Sequence, residues 1–278
     1  AIVITHLCGH PCEMDEILKI KRKKKLFLIE DCSHAHGSTY KGKKVGSFGD
    51  IGCFSLDNNK LLAAGEGGVL VTNNKNFFER ALLASDFAGR LQNEVKISNN
   101  VIYKDTGLGY KHRIHPVSAA IANSELKKIN FYIKKRHKML NYFSKKIKEI
   151  PGINPPITLK NSHRGAFYGY RPFVNTSELK NIKVNTLIKY LQAEGMEVRF
   201  AGNKPLHQLP LFSNRRLGPK FLGKKTSLFR NYKKKGALPQ SEKFYNTTLS
   251  LITFTFEKKS LINQYIKAFK KVCYYLSK

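Results

Sequence analysis

No apolar run in this 278-residue chain approaches the roughly 18 residues that a helix needs to cross a bilayer, so a membrane-spanning helix is not expected. Acidic residues are scarce, 19 against 50 Lys and Arg, and the net charge is +31. Such an excess invites a nucleic-acid partner. The basic residues are nevertheless spread along the chain, in runs at 19–25, 145–150, 220–235 and 267–272, with no arginine-rich arm and no RNA-binding aromatic signature. They read as solvated faces, and no specific nucleic acid and no membrane is expected as a partner. The five cysteines, Cys8, Cys12, Cys32, Cys53 and Cys273, are odd in number in a chain long enough to fold without staples. Reduced thiols and a cytoplasmic location are expected from them. The opening AIVITHLCGHPCEMDE lacks a basic segment followed by a long apolar one, so it does not read as a signal peptide. It starts directly on an apolar strand, as if inside a domain.

What is present is an alternation. Apolar runs at 2–7, 26–30, 51–56 and 68–73 read as strands, and helical patterns at 14–24 and 76–87 lie among them. Alternating strands and helices predict an α/β layer with a mainly parallel sheet. Pro116 suits the first turn of a helix that runs to about Ile150. PGINPP (151–156) stops that helix and sets the expected boundary between a large domain, 1–150, and a smaller α+β domain, 151–278. In the latter, 166–174 reads as a strand, 183–194 as a helix, 201–246 as a loop-rich basic stretch and 258–276 as a closing helix. Tyr168 and Tyr170 read as ordinary sheet packing within that strand.

Chemistry-bearing residues gather at strand ends, where open α/β sheets bind their ligands. LFLIE ends at Asp31, IGCFS ends at Ser55, and Lys60 follows in the connection to the next strand. A strand-end Asp alone is a turn former and a loop Lys alone is a solvated charge. Together they match one need. Pyridoxal phosphate is held by a lysine as a Schiff base, with an acid beside its ring nitrogen that keeps the nitrogen protonated. The glycines of GEGG (65–68) let backbone pass close to a ligand.

The stretch IEDCSHAHGSTYKGKKVGSFGDIGCFSLDNNKLLAAGEGGVLVTNN (29–74) resembles the signature of the DegT/DnrJ/EryC1/StrS aminotransferases. HLCGHPCEMDEI (6–17) resembles the segment before it, and GLGYKHRIHPVSAAIANSEL (107–126) the subunit-interface motif. The resemblance is close over most of 2–130 and looser beyond. It implies the fold-type-I architecture of pyridoxal-5'-phosphate transferases and the transfer of an amino group from glutamate or glutamine to a keto-sugar nucleotide or a cyclitol ketone. A homodimer with shared sites is implied as well. By the resemblance, Lys60 holds the cofactor and Asp31 faces its ring nitrogen. His34 stands near the ring hydroxyl, where many members carry Gln, and Ser55 at the phosphate. Lys111 stands where many members place an Asn that reaches the neighbouring subunit's phosphate, and His207 matches a substrate-side position. One branch replaces the lysine by His and dehydrates; Lys60 favours transamination. The family's upstream segment, with a phosphate-gripping turn, has no counterpart before AIVITHL, which implies a fragment or a short form.

Three other readings stand beside this one. His6, Cys8, His10 and Cys12 alternate and would share one face of a strand, a possible zinc set, but Gly9 and Pro11 break a strand and no metal is expected. An inactive or regulatory relative without stable cofactor binding is the alternative function. A basic nucleic-acid-binding protein is the third, which predicts a steep salt dependence. His36 is expected to pack beside the sheet edge, and Cys32 and Cys53 to be inert.

Overall fold

A computed structural model describes residues 1–86, 89–106, 109–165, 167–202, 204–213, 238–254 and 258–278. Two compact units emerge, one of Ala1–Lys138 with Thr158–Tyr168, the other of Met139–Ile157 with Gly169–Lys278.

The first unit is built on β1 (Ile2–Thr5), α1 (Met14–Lys24), β2 (Leu28–Asp31), β3 (Thr39–Tyr40), β4 (Lys43–Lys44), β5 (Ile51–Ser55) and β6 (Gly68–Val71). The main sheet has the order β1-β2-β5-β6. β1, β2 and β5 run parallel, and β6 returns antiparallel to β5. α1 occupies the residues its periodicity predicts. Asp15 and Glu16 lie in its first turn and four basic residues in its last, each matched to the helix dipole. Met14 buries itself against Leu28 and Tyr40, with Ile17 and Leu18 packed alongside. Val3 of β1 and Val69–Val71 of β6, the two outer strands, are exposed.

A smaller sheet, β4-β3-β8, takes β8 (Ser162–His163) from far along the chain. α2 (Lys75–Ser85) is capped by Asn74, whose side chain accepts the Phe77 N–H. The short helices α3 (Gly89–Glu94) and α4 (Ser98–Val101) follow. The buried Glu79 carboxylate accepts the N–H groups of Lys96 and Ile97 and the Asn100 amide, fixing the turn between them. α5 (Pro116–Ile147) gives its residues up to Lys138 to this unit.

The second unit pairs β7 (Ile153–Asn154) with β9 (Phe173–Val174), and β10 (Val198–Phe200) with β11 (Leu249–Leu251), both antiparallel. α6 (Val184–Ala193) packs on β10 and on the closing helix. Helices α7 (Pro210–Ser213), α8 (Pro239–Thr247) and α9 (Lys259–Ser277) complete it. Its core is aromatic, with Phe143 between Tyr170, Phe254 and Phe269.

Three elements differ from the sequence reading. The first strand ends at Thr5, because His6 turns inward and Leu7–Gly9 forms a tight 3-10 turn. The predicted strand 166–174 shrinks to Phe173–Val174; Phe167 (φ 47°) and Gly169 (φ 80°) adopt left-handed backbone, which no extended strand accommodates. Within 201–246, Pro239–Thr247 is helical. Residues 203 and 214–237 of that stretch, Ala166 of the expected strand, residues 107 and 108 of the interface motif and residue 87 of the predicted helix lie outside the described residues.

Candidate active site

Parallel strands end on the same side of a sheet. The register sets Thr5 beside Asp31 and Asp31 beside Cys53, so Asp31 and, just past Cys53, Ser55 leave the sheet at one edge. Asp31 is half-buried. Its Oδ1 accepts the Ser33 N–H at 3.0 Å and its Oδ2 the Thr5 hydroxyl at 3.4 Å. Burial works to raise its pKa, but hydrogen bonds from Ser33 and Thr5, with His34 nearby, outweigh it and hold the carboxyl below its ordinary value. At neutral pH Asp31 is a fixed negative charge. Ser55 Oγ accepts the Asp57 N–H at 3.3 Å, which leaves its O–H proton to donate.

Lys60 follows on a turn that Asp57 builds. Asp57 Oδ1 accepts the Asn59 N–H at 3.0 Å, and the Asp57 carbonyl accepts the Lys60 N–H at 2.9 Å. Leu61 and Leu62, next in sequence, are buried against apolar residues of α5, including Ile129 and Ile133. The lysine backbone is thereby pinned from both sides while its side chain reaches out. Its Nζ lies 4.4 Å from the centre of the Tyr168 ring. Tyr168 also stacks on His34, with centroids 3.9 Å apart and planes 18° from parallel. His34 Nδ1 accepts the Cys8 N–H at 3.4 Å. Lys60 and His34 thus meet on one phenol ring. Sequence reasoning missed Tyr168 as a site residue. Its one signal is the break in strand pattern, Gly165 before it and Gly169 after it.

Lys111 is exposed, with φ 55°. Asn tolerates that left-handed backbone better than Lys, so the Asn that the resemblance places there in relatives suits this loop. His207, in the second unit, is buried with its Nε2 3.0 Å from a Glu242 carboxylate oxygen. His36 is buried beside Ser55. Burial pushes its pKa down to about 4, the Lys60 charge adds to this, and a hydrogen bond to the Ser55 backbone opposes it. Its Nε2 has no partner.

The alternating His/Cys set does not share a face. His6 points to Glu30, His10 Nδ1 bonds the Pro11 carbonyl, and Cys8 sits in the 3-10 turn with φ 53°. His6, Glu30 and Cys32 do place ligand atoms within 4.8 Å of one another. Their lone pairs are already engaged: Glu30 accepts the N–H groups of Gly46, Phe48 and Gly49, and His6 Nδ1 accepts that of Cys12. Burial pushes the Cys32 thiol far above its ordinary pKa, so it is inert at neutral pH.

A family model described as the DegT/DnrJ/EryC1/StrS aminotransferase family matches residues 1–259. The chain belongs to this family. It is 32% identical over 222 residues to GDP-perosamine synthase of Escherichia coli O157:H7, a match covering 77% of this chain and 55% of that protein. It is 27% identical over 277 residues to the spore coat polysaccharide biosynthesis protein SpsC of Bacillus subtilis, with 98% and 66% covered. The X-ray structure of the aminotransferase from Psychrobacter cryohalolentis superposes with a TM-score of 0.80 at 23% identity, over 100% of this chain and 69% of that one. The chain therefore spans about half to two thirds of the length of the curated relatives it matches. The architecture is that of the fold-type-I pyridoxal-phosphate transferases, and pyridoxal phosphate is the cofactor of the DegT/DnrJ/EryC1/StrS enzymes. The chemistry of the residues present suits that group: an amine on a pinned turn, a carboxylate held ionised and a hydroxyl at the strand end, with the Tyr168 ring lying against Lys60 and His34.

Proposed function

We propose that this chain carries the cofactor-binding core of a pyridoxal-phosphate aminotransferase, which moves an amino group from glutamate or glutamine to a keto-sugar nucleotide or a cyclitol ketone. The observation that supports the reading is Lys60, a lysine on a hydrogen-bonded turn just past the strand that ends at Ser55, beside the strand of Asp31, in a chain of this family. Pyridoxal phosphate, when bound, supplies an electron sink for the carbanion formed at the donor's α-carbon.

The chain's own residues do the rest. Asp31, held ionised, keeps a proton on the ring nitrogen by opposite charge. Ser55 donates its O–H to a phosphate oxygen, and Lys111 adds a point charge for the phosphate of the partner protomer. Lys60 Nζ carries the proton away from the donor's α-carbon, then delivers one to the acceptor's new amine-bearing carbon in the second half-reaction. His34 sits at the ring hydroxyl and His207 on the substrate side. The assembly is a homodimer in the cytoplasm. Among the described residues, no helix is long and apolar enough to cross a membrane. The names of the relatives, GDP-perosamine synthase and a spore coat polysaccharide biosynthesis protein, support a sugar substrate in a polysaccharide route.

Amino transfer from glutamate or glutamine to a panel of keto-sugar nucleotides and cyclitol ketones tests the reading. The protein with added pyridoxal phosphate is expected to turn over, and Lys60→Ala to abolish turnover. Full activity in Lys60→Ala refutes the assignment. A wild type with this fold but no stable cofactor binding supports the inactive or regulatory alternative instead.

A further inference from the structure

Tyr168 is not placed by chance packing. The segment Thr158–Tyr168 returns to the first unit and is fixed there at several points. β8 pairs with β3, the Lys41 N–H reaches the Asn161 carbonyl at 2.7 Å, and the Leu159 N–H reaches His10 Nε2 at 3.1 Å. Two glycines bring the backbones together. A Cβ on Gly165 (φ 43°) would meet His36 O at 2.4 Å and Ser38 N at 2.5 Å, and one on Gly9 would meet Arg164 O at 2.9 Å. His137 Nε2 donates to the Gly165 carbonyl at 2.8 Å, and Phe167 buries its ring edge-on to His137. The arm ends by laying the half-buried Tyr168 ring flat on His34 with Lys60 Nζ over it.

We infer that Tyr168 is a positioning residue of the cofactor site: its ring fixes the plane of the His34 imidazole by stacking and the reach of the Lys60 amine by a cation–π contact. This rests on the proposed pyridoxal-phosphate chemistry of Lys60. The stack covers one face of the imidazole and, with the Cys8 N–H on Nδ1, holds the ring in one orientation. The cation–π contact confines a four-carbon side chain that otherwise wanders. Both contacts use the π-face and neither needs the phenol oxygen, so the ring alone carries the effect.

The test compares Tyr168→Leu and Tyr168→Phe with wild type. Each protein is titrated with pyridoxal phosphate, and the linkage is reduced with borohydride and located by peptide mapping. Far-ultraviolet circular dichroism checks the fold. Tyr168→Leu is expected to weaken cofactor affinity on the order of tenfold and to lower the share of label found on Lys60, while Tyr168→Phe stays within about twofold of wild type. Wild-type affinity in a folded Tyr168→Leu overturns the inference and leaves the proposed function standing. Tighter binding in Tyr168→Leu also overturns it, by showing that the ring obstructs the slot. A wild type that takes up no cofactor overturns both.

Discussion

His6 and Glu30 form a fully buried pair, with Nε2 3.1 Å from the carboxylate at the centre of the parallel strands. The Cys12 N–H donates to His6 Nδ1, so the ring proton sits on Nε2 and faces Glu30. Burial works to raise the Glu30 pKa, but the His6 bond and the N–H groups of Gly49, Gly46 and Phe48 outweigh it and leave the carboxyl below its ordinary value. The folded state then gains stability from this group above the ordinary carboxylate pKa, and loses it as pH falls through the lower folded value. Glu30→Ala strands four donors, the His6 Nε2–H and three backbone N–H groups, and is expected to cost about 3 kcal/mol. Urea unfolding at neutral pH measures it; a loss under roughly 1 kcal/mol contradicts the account.

His36 gives stability a slope in the mildly acidic range. Its folded pKa of about 4 lies below the ordinary 6.5, because a proton on its buried Nε2 would find no acceptor. Protonation therefore favours the unfolded chain, and stability present above pH 6.5 is lost as pH falls toward about 4. The loss is on the order of 3 kcal/mol. His137 and His163 are also pushed down by burial and act in the same direction. Unfolding curves across this range should be flatter for His36→Leu than for wild type. Equal slopes would assign the effect to the other histidines that burial pushes down, His10, His137 and His163.

Gly165 is the tightest point of the arm that delivers Tyr168. An added methyl meets His36 O and Ser38 N at about 2.5 Å, and the left-handed backbone resists any Cβ. Gly165→Ala is expected to lower stability by about 2 kcal/mol or more and to reduce cofactor affinity with it. Thermal unfolding and cofactor titration of the same preparation check both. A variant that keeps stability and affinity together contradicts the packing argument.

Ser55 and Lys111 are proposed to act on the cofactor's phosphate, so their effect should vanish when the phosphate is removed. Ser55→Ala and Lys111→Ala are expected to weaken pyridoxal phosphate on the order of tenfold each, as charge-assisted hydrogen bonds do. Binding of pyridoxal should change little. Equal losses for both ligands would show that these residues act on the fold instead of the phosphate.

The local elements were readable where one period dominates. α1 carries its apolar period and its dipole-matched charges in its own residues, and the strands ending at Asp31 and Ser55 are short, apolar and bounded by turn chemistry. The antiparallel return of β6 was not readable, since a short apolar run has no direction. The failure at 166–174 has a local cause: alternating aromatics mimic a strand, and only Gly165 and Gly169 hint that the backbone turns left-handed. That error hid Tyr168, whose meaning depends on His34 and Lys60, residues distant in sequence. The burial of His207 against Glu242 is likewise a tertiary fact, because neither residue marks the other in sequence.

The central claim is that the Lys60 amine bonds pyridoxal phosphate. The direct measurement is borohydride reduction of the protein incubated with the cofactor, followed by mass mapping of the labelled peptide. The account predicts a dominant label on Lys60, out of 39 lysines, and its disappearance in Lys60→Arg. Label scattered over surface lysines, or unchanged in Lys60→Arg, would contradict it.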